Sequence, residues 1–272
     1  MSIPKTEMRN PLSMNMDKMG SEEMALLVIQ ANYDAVRACE NAAGEIAKAI
    51  DAIAKAFEKG GRLFYIGAGT SGRLGIIDAT ECPPTFGVPT TQVQGIIAGG
   101  NERVFSASEN EEDKYEHGYA EIQNRSLTKD DVLVGISAAG NAKYVVGAIE
   151  SAKEIGCVTI GISSNKDTLV LKTSDIPIFT DTGAEILTGS TRLKAGTAQK
   201  IVLNTLSTCA MAKTGKVYEN MMINLAPTNE KLKKRVIRIV KEILSCNEEK
   251  AVEILCENDW NIKKSLDSYH KK

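Results

Sequence analysis

The sequence predicts an α/β fold: a parallel sheet with helices on both faces. Three observations carry that prediction. Short continuous apolar runs, such as residues 63–66 and 132–136, read as strands buried on both sides. They alternate with longer stretches of helical periodicity, the pattern of βαβ units. The first run opens straight into Gly67-Ala68-Gly69-Thr70-Ser71-Gly72, a turn suited to lead from the carboxyl end of a strand into a helix.

The elements follow in order. Residues 1–20 are polar and methionine-rich, with Pro4 and Pro11, and read as an extended arm. Ser21 is a good N-cap, and Glu22 and Glu23 favour a first helical turn. Leu26, Ile29, Tyr33 and Val36 recur at helical spacing, as do Ile46, Ile50, Ile53 and Phe57. Both stripes are read as core or subunit contacts, and together they predict a homodimer. Gly60-Gly61 stops the second helix. Strands are expected at 63–66, 94–97, 132–136, 157–162 and 176–179, the last at an edge because Pro177 cannot donate to a ladder. Helices are expected at 143–155 and 190–213. After residue 228 the character changes. An amphipathic helix over 231–244 and two shorter ones over 248–256 and 261–269 form a small bundle. The expected organisation is an arm at 1–20, a catalytic domain at 21–228 and a helical domain at 229–272.

Composition bounds the function. The chain has 272 residues, 43% hydrophobic and 25% charged, with a formal net charge of −2, ordinary for a soluble protein. Basic residues are scattered among acids, and the run Lys231–Arg235 reads as a solvated face, so no nucleic-acid partner is expected. No apolar run approaches the ~18 residues of a membrane span, and the N-terminus lacks the apolar segment of a secretion signal. A cytoplasmic protein with no membrane partner is expected. Six cysteines stand apart without a CxxC pair and are read as reduced thiols. His117 and His270 are too few and too separated for a metal site.

The chemistry concentrates after the first strand. Glycines let backbone approach an anion, and a helix N-terminus offers free N–H groups and a positive dipole end. Gly69, Thr70 and Ser71 are therefore candidate phosphate ligands, with Arg73 adding charge. Ser137, in the loop after the 132–136 strand, lies at the same sheet edge. Glu81 precedes Cys82-Pro83-Pro84, a break expected to end the helix and leave the carboxylate facing a cleft. Cys82 itself is read as a packing residue. Gly67, Gly69 and Gly72 also match the dinucleotide pattern GxGxxG, but that reading needs an acid about 20 residues on. The second strand ends in Ala98-Gly99-Gly100, so a phosphorylated molecule, with a carboxylate moving a proton on it, is preferred.

Longer motifs then carry a resemblance. The arm segment Thr6-Glu7-Met8-Arg9-Asn10-Pro11, the block IGAGTSGRLGIIDATECPPTFGVP and the block TGSTRLKAGTAQK at 188–200 resemble the N-acetylmuramic acid 6-phosphate etherases. These belong to the sugar isomerase (SIS) superfamily and are related to glucokinase regulatory protein. The resemblance covers nearly the whole chain and implies the three-layer SIS fold. It also implies a reaction without metal or organic cofactor: cleavage of the D-lactyl ether at C3 of the phosphorylated amino sugar, giving N-acetylglucosamine 6-phosphate and D-lactate in cell-wall recycling. The ring opens, a base removes the C2 proton, lactate leaves and water adds. Carried over by motif, Glu81 is the proton donor to lactate. Glu112 is the C2 base; the residues alone do not separate it from Glu109 or Glu111. The sequence departs from the family where SGRTPYV is usual and Ala139-Gly140-Asn141-Ala142-Lys143-Tyr144-Val145 stands. Two rivals follow: a phosphosugar-binding regulator or sensor without turnover, favoured by that altered loop, and an aldose–ketose isomerase.

Overall fold

The computed structural model describes residues 3–106, 110–224, 227 and 229–269. Glu109 and His270 lie outside the described residues, as do the first two residues of the arm and residue 228 at the expected domain boundary. Among the described residues a five-stranded parallel sheet runs in the order β2-β1-β3-β4-β5. The strands are β1 (Leu63–Gly67), β2 (Val93–Ile97), β3 (Val132–Ile136), β4 (Val158–Ser163) and β5 (Ile176–Phe179). Pro177 sits on the edge strand, as expected.

The helices are α1 (Ser21–Ala31), α2 (Tyr33–Asn41), α3 (Ala43–Glu58), α4 (Gly69–Phe86), α5 (Tyr115–Gln123), α6 (Lys143–Ile155), α7 (Leu169–Thr173), α8 (Lys194–Lys213), α9 (Glu230–Leu244), α10 (Glu248–Glu257) and α11 (Ile262–Tyr269). Strand side chains alternate between two cores. Leu63 and Tyr65 meet α2, α3, α4 and α8 on one face. Phe64 and Ile66 meet α5, α6 and α7 on the other. The three-layer α/β reading is thus what the chain forms. A two-stranded hairpin, β6 (Val217–Tyr218) and β7 (Met221–Met222), leads into α9, α10 and α11. Those helices share a separate core with Met221, Met222 and Ile223.

Four local readings are corrected. The arm is not extended: it makes 3-10 turns at Lys5–Glu7, Pro11–Ser13 and Met16–Lys18, because it packs against the chain, with Thr6 and Asn10 buried. The first helix breaks at Asn32, whose side chain donates to the Val28 carbonyl at 2.8 Å. Its N-cap is Gly20, not Ser21. The helix after the glycine turn does not end at Cys82. It runs through Pro83 and Pro84 to Phe86, since prolines in a last turn leave only the carbonyls four residues back unpaired. Gly87, at φ +61°, closes it by donating to the Pro83 carbonyl at 2.9 Å.

Candidate active site

The sheet order reverses between β1 and β3, which places a crevice at their carboxyl ends. A cavity of about 420 Å³ lies there. Its walls are Ala68 to Ser71 after β1, Ile136 to Ala139 and Ala142 after β3, Gly189 to Arg192 before α8, and Glu112. A cavity of similar volume, about 430 Å³, lies under the arm, but Met14, Met16, Met24, Ile186 and Leu187 make it largely apolar. Only the first combines hydroxyls, helix N-termini and a carboxylate.

The glycine turn is built by close approach. A Cβ on Gly72 would stand 2.6 Å from the Gly67 carbonyl oxygen, and Gly69 takes φ +52°. Neither position tolerates a side chain without strain. The first turn of α4 therefore folds tightly over the end of β1. Neither α4 nor α6 has a side-chain cap; the first turn of α4 keeps N–H groups for a ligand, whereas in α6 the Tyr144 N–H is taken by the Glu112 carbonyl and the Val145 N–H by that of Ala142. The third helix at the cavity differs. Glu185, fully buried, accepts from the Lys194 and Ala195 N–H groups of α8 at 3.0 and 2.9 Å. That cap fixes the wall formed by residues 189–192. The arm braces the same wall: the Gly189 N–H donates to the Thr6 carbonyl, and Lys5 pairs with Asp181 at 2.6 Å.

The predicted residues divide. Gly69, Thr70, Ser71, Ser137 and Glu112 line the cavity together. Ser137 Oγ accepts from the Gly140 N–H at 3.0 Å, which leaves its proton to donate elsewhere. Ser71 is buried and donates to Gln199 Oε1 at 3.0 Å. Arg73 does not line the cavity. Its guanidinium donates to the carbonyls of Val104, Arg103 and Ser106 at 2.8 to 2.9 Å, so it holds the 103–106 loop. Glu81 is exposed on α4. Twelve residues of helix beyond Gly69, it stands about 18 Å along the axis from the cradle.

The acidic run resolves by geometry. Glu111 bonds Lys114 Nζ at 2.6 Å and lies 3.5 Å from His117 Nδ1; the Lys114 bond holds its carboxyl below the usual range. Glu112 instead lines the cavity, and its carbonyl accepts the Tyr144 N–H at 2.9 Å, tying the run to the first turn of α6. Cys82 is buried, and desolvation pushes its thiol up to about 12, which suits packing and not nucleophilic attack. Sequence reasoning assigned no role to Arg192, an exposed cation in the cavity wall. Its signal was present in the 188–200 block, but only the fold shows that block facing the glycine turn.

Comparison with known proteins shows the family and the fold. The glucokinase regulatory protein N-terminal SIS domain matches residues 45–153. An N-acetylmuramic acid 6-phosphate etherase of Pasteurella multocida (strain Pm70) is 47% identical over 261 residues, 96% of this chain and 87% of its own. Those of Clostridium beijerinckii and Oenococcus oeni are 45% and 46% identical, again over 96% of this chain and 86% and 88% of theirs. Among solved structures, a phosphoheptose isomerase from Francisella tularensis superposes with a TM-score of 0.54 at 18% identity, over 71% of this chain and 98% of its own. A Bacteroides fragilis protein, described as a candidate phosphosugar isomerase involved in capsule formation, gives 0.55 at 22%, over 74% and 95%; both show the fold alone. With relatives this similar over nearly its whole length, the chain belongs to the N-acetylmuramic acid 6-phosphate etherase family, on the SIS fold.

Proposed function

We propose that the cavity between β1 and β3 binds N-acetylmuramic acid 6-phosphate and that this chain cleaves its D-lactyl ether. One observation carries the reading: the Glu112 wall and the Gly69–Ser71 turn border one polar cavity, which puts a base and an anion cradle on the same small molecule. The phosphate sits against the α4 N-terminus, with Thr70, Ser71 and Ser137 donating and Arg192 adding charge. Glu112 takes the C2 proton. Expulsion of lactate leaves an unsaturated sugar, to which water adds, so the balance is one water consumed and one D-lactate released.

The departing lactate oxygen needs a proton, and Glu81 is the family donor. At about 18 Å along α4, it serves this reaction only where a second copy carries it to the cavity. A two-fold dimer with composite sites meets that need. Leu26, Ile29, Tyr33 and Val36 support it, being 44 to 62% exposed on α1 and α2. We place the chain in the cytoplasm, where its phosphorylated substrate is made. No helix among the described residues is long and apolar enough to cross a membrane.

Incubation with N-acetylmuramic acid 6-phosphate and an assay for D-lactate test the reading. We expect turnover in the native chain and a loss of about 10²-fold or more in Glu112→Gln, with product affinity retained. Lactate release within a few-fold of native in that variant refutes Glu112 as the base. A second reading, a sugar-phosphate sensor, draws on Ala139 and Ala142, which bring no hydroxyl to the cavity wall. It predicts no lactate from the native chain.

A further inference from the structure

Gln199 lies on α8 behind the cavity wall and is 1% exposed. Its Oε1 accepts the Ser71 hydroxyl at 3.0 Å. Its Nε2 is buried and has no hydrogen-bond partner among the described residues. This arrangement is odd on two counts. A buried amide donor left unpaired is costly. And Ser71, a member of the cradle, points its one proton into the protein and away from the anion.

A half-turn of the amide lessens the first oddity and removes the second. It exchanges two atoms of nearly equal size, so the 3.0 Å contact persists with its direction reversed. Nε2 then donates to Ser71 Oγ, and the hydroxyl proton turns to the cavity, where a phosphate oxygen accepts it in a charge-assisted bond. The amide atom left unpaired is now a carbonyl oxygen, the lesser penalty. We propose that Gln199 is a positioning residue for substrate binding: its amide turns on anion binding and directs the Ser71 hydroxyl from the protein to the phosphate. The proposal rests on the reading of this cavity as the phosphate site.

Gln199→Glu tests it, because a carboxylate only accepts from Ser71 and keeps the proton turned inward. Dissociation constants for N-acetylglucosamine 6-phosphate by calorimetry, with KM and kcat for lactate release, are measured in native, Gln199→Glu, Gln199→Met, Ser71→Ala and Ser71→Ala/Gln199→Glu chains. We expect Gln199→Glu to raise Kd and KM about tenfold or more, with kcat within about threefold, since the contact acts alike on ground and transition states. Gln199→Met, which fills the space but does not capture the proton, is expected to be milder. The Glu penalty should shrink several-fold in the Ser71→Ala background. An equal penalty in both backgrounds, an unchanged Kd in Gln199→Glu, or Met as harmful as Glu overturns the proposal. If Ser71→Ala alone leaves Kd unchanged, the phosphate reading of this loop fails, and the proposal falls with it. If Ser71→Ala weakens binding and Gln199→Glu does not, only the proposal fails. Should the buried carboxylate prevent folding, the Gln199 side-chain amide resonances of the native chain decide. Assigned by their loss in Gln199→Met, they should shift on addition of the sugar phosphate in the native chain and not in Ser71→Ala; a spectrum unmoved by saturating ligand overturns the proposal.

Discussion

At the scale of residues, the cavity is short of hydroxyls where the family supplies them. Ala139 and Ala142 line it, and Asn141 turns away, its Oδ1 accepting the Leu169 N–H at 3.2 Å. On the proposed reading, the N–H groups at the start of α4, Ser137 and Arg192 carry more of the phosphate grip. Restoring the loop with Ala139→Ser and Ala142→Thr should lower KM about tenfold per productive contact, on the order of 1.5 kcal/mol each. The turnover number should stay within about twofold, because these contacts act alike on bound substrate and transition state. Steady-state kinetics on the double variant check this; an unchanged KM removes the 139–142 loop from the cradle. Arg192 supplies a complementary test. Arg192→Ala should raise KM for the phosphorylated sugar by about tenfold to a hundredfold, the range of a charged hydrogen bond.

At the scale of elements, the sheet edge is tied by an acid. Asp131, 1% exposed, accepts from the Arg62 N–H at 2.7 Å, from Arg62 Nη2 at 2.8 Å and from the Thr128 N–H at 2.8 Å. These bonds join the start of β1 to the start of β3, the two strands that flank the cavity at their other ends. Burial alone would raise the Asp131 carboxyl, yet the Arg62 and backbone donors outweigh it and hold it below the usual aspartate range. A carboxyl depressed in the folded chain contributes stability that is complete above its unfolded value and lost as pH falls through its folded value. Asp131→Asn should thus cost about 2 kcal/mol at neutral pH and lower the melting temperature by several degrees. The gap from the native chain should narrow as pH drops through and below the usual aspartate range. Thermal melts at neutral pH and in acid test the sign: a gap that widens in acid contradicts the linkage.

At the scale of the whole molecule, the two apolar stripes part company. Ile46 and Ile53 are buried in the core of the α3 layer, and Ile50 and Phe57 pack against it. Leu26, Ile29, Tyr33 and Val36 stand in solvent. Helix α2 and the Glu81-bearing helix α4 both pack on α8, on the same side of the sheet. A dimer built on the α1–α2 face therefore engages the layer that carries Glu81. Light scattering at micromolar concentration should give twice the chain mass. Ile29→Glu with Tyr33→Glu should give a folded monomer with lactate release lowered by an order of magnitude or more. A native chain that scatters as a monomer, or a fully active monomeric variant, refutes the composite site.

The local code was decisive for some of this. The apolar runs and their spacing determined a parallel α/β sheet, since only strands covered on both faces read as continuous hydrophobic segments. The bounds of β3, β5 and α6 follow from the same patterns. So does the tight glycine turn, because Gly72 must approach the Gly67 carbonyl closely and Gly69 takes a positive φ. Tertiary structure decided the rest, because the deciding contacts join residues far apart in sequence. Arg73 reads as a phosphate ligand until the 103–106 carbonyls claim it. Glu111 and Glu112 are indistinguishable as neighbouring acids until Lys114 engages one and the Tyr144 N–H ties the backbone of the other to the cavity wall. Gln199 is an anonymous helical residue until α8 crosses behind Ser71, 128 positions away. Glu81 stands out in the motif, yet a helix that runs on through two prolines carries it away from its own cradle, and no periodicity in the chain reports that distance.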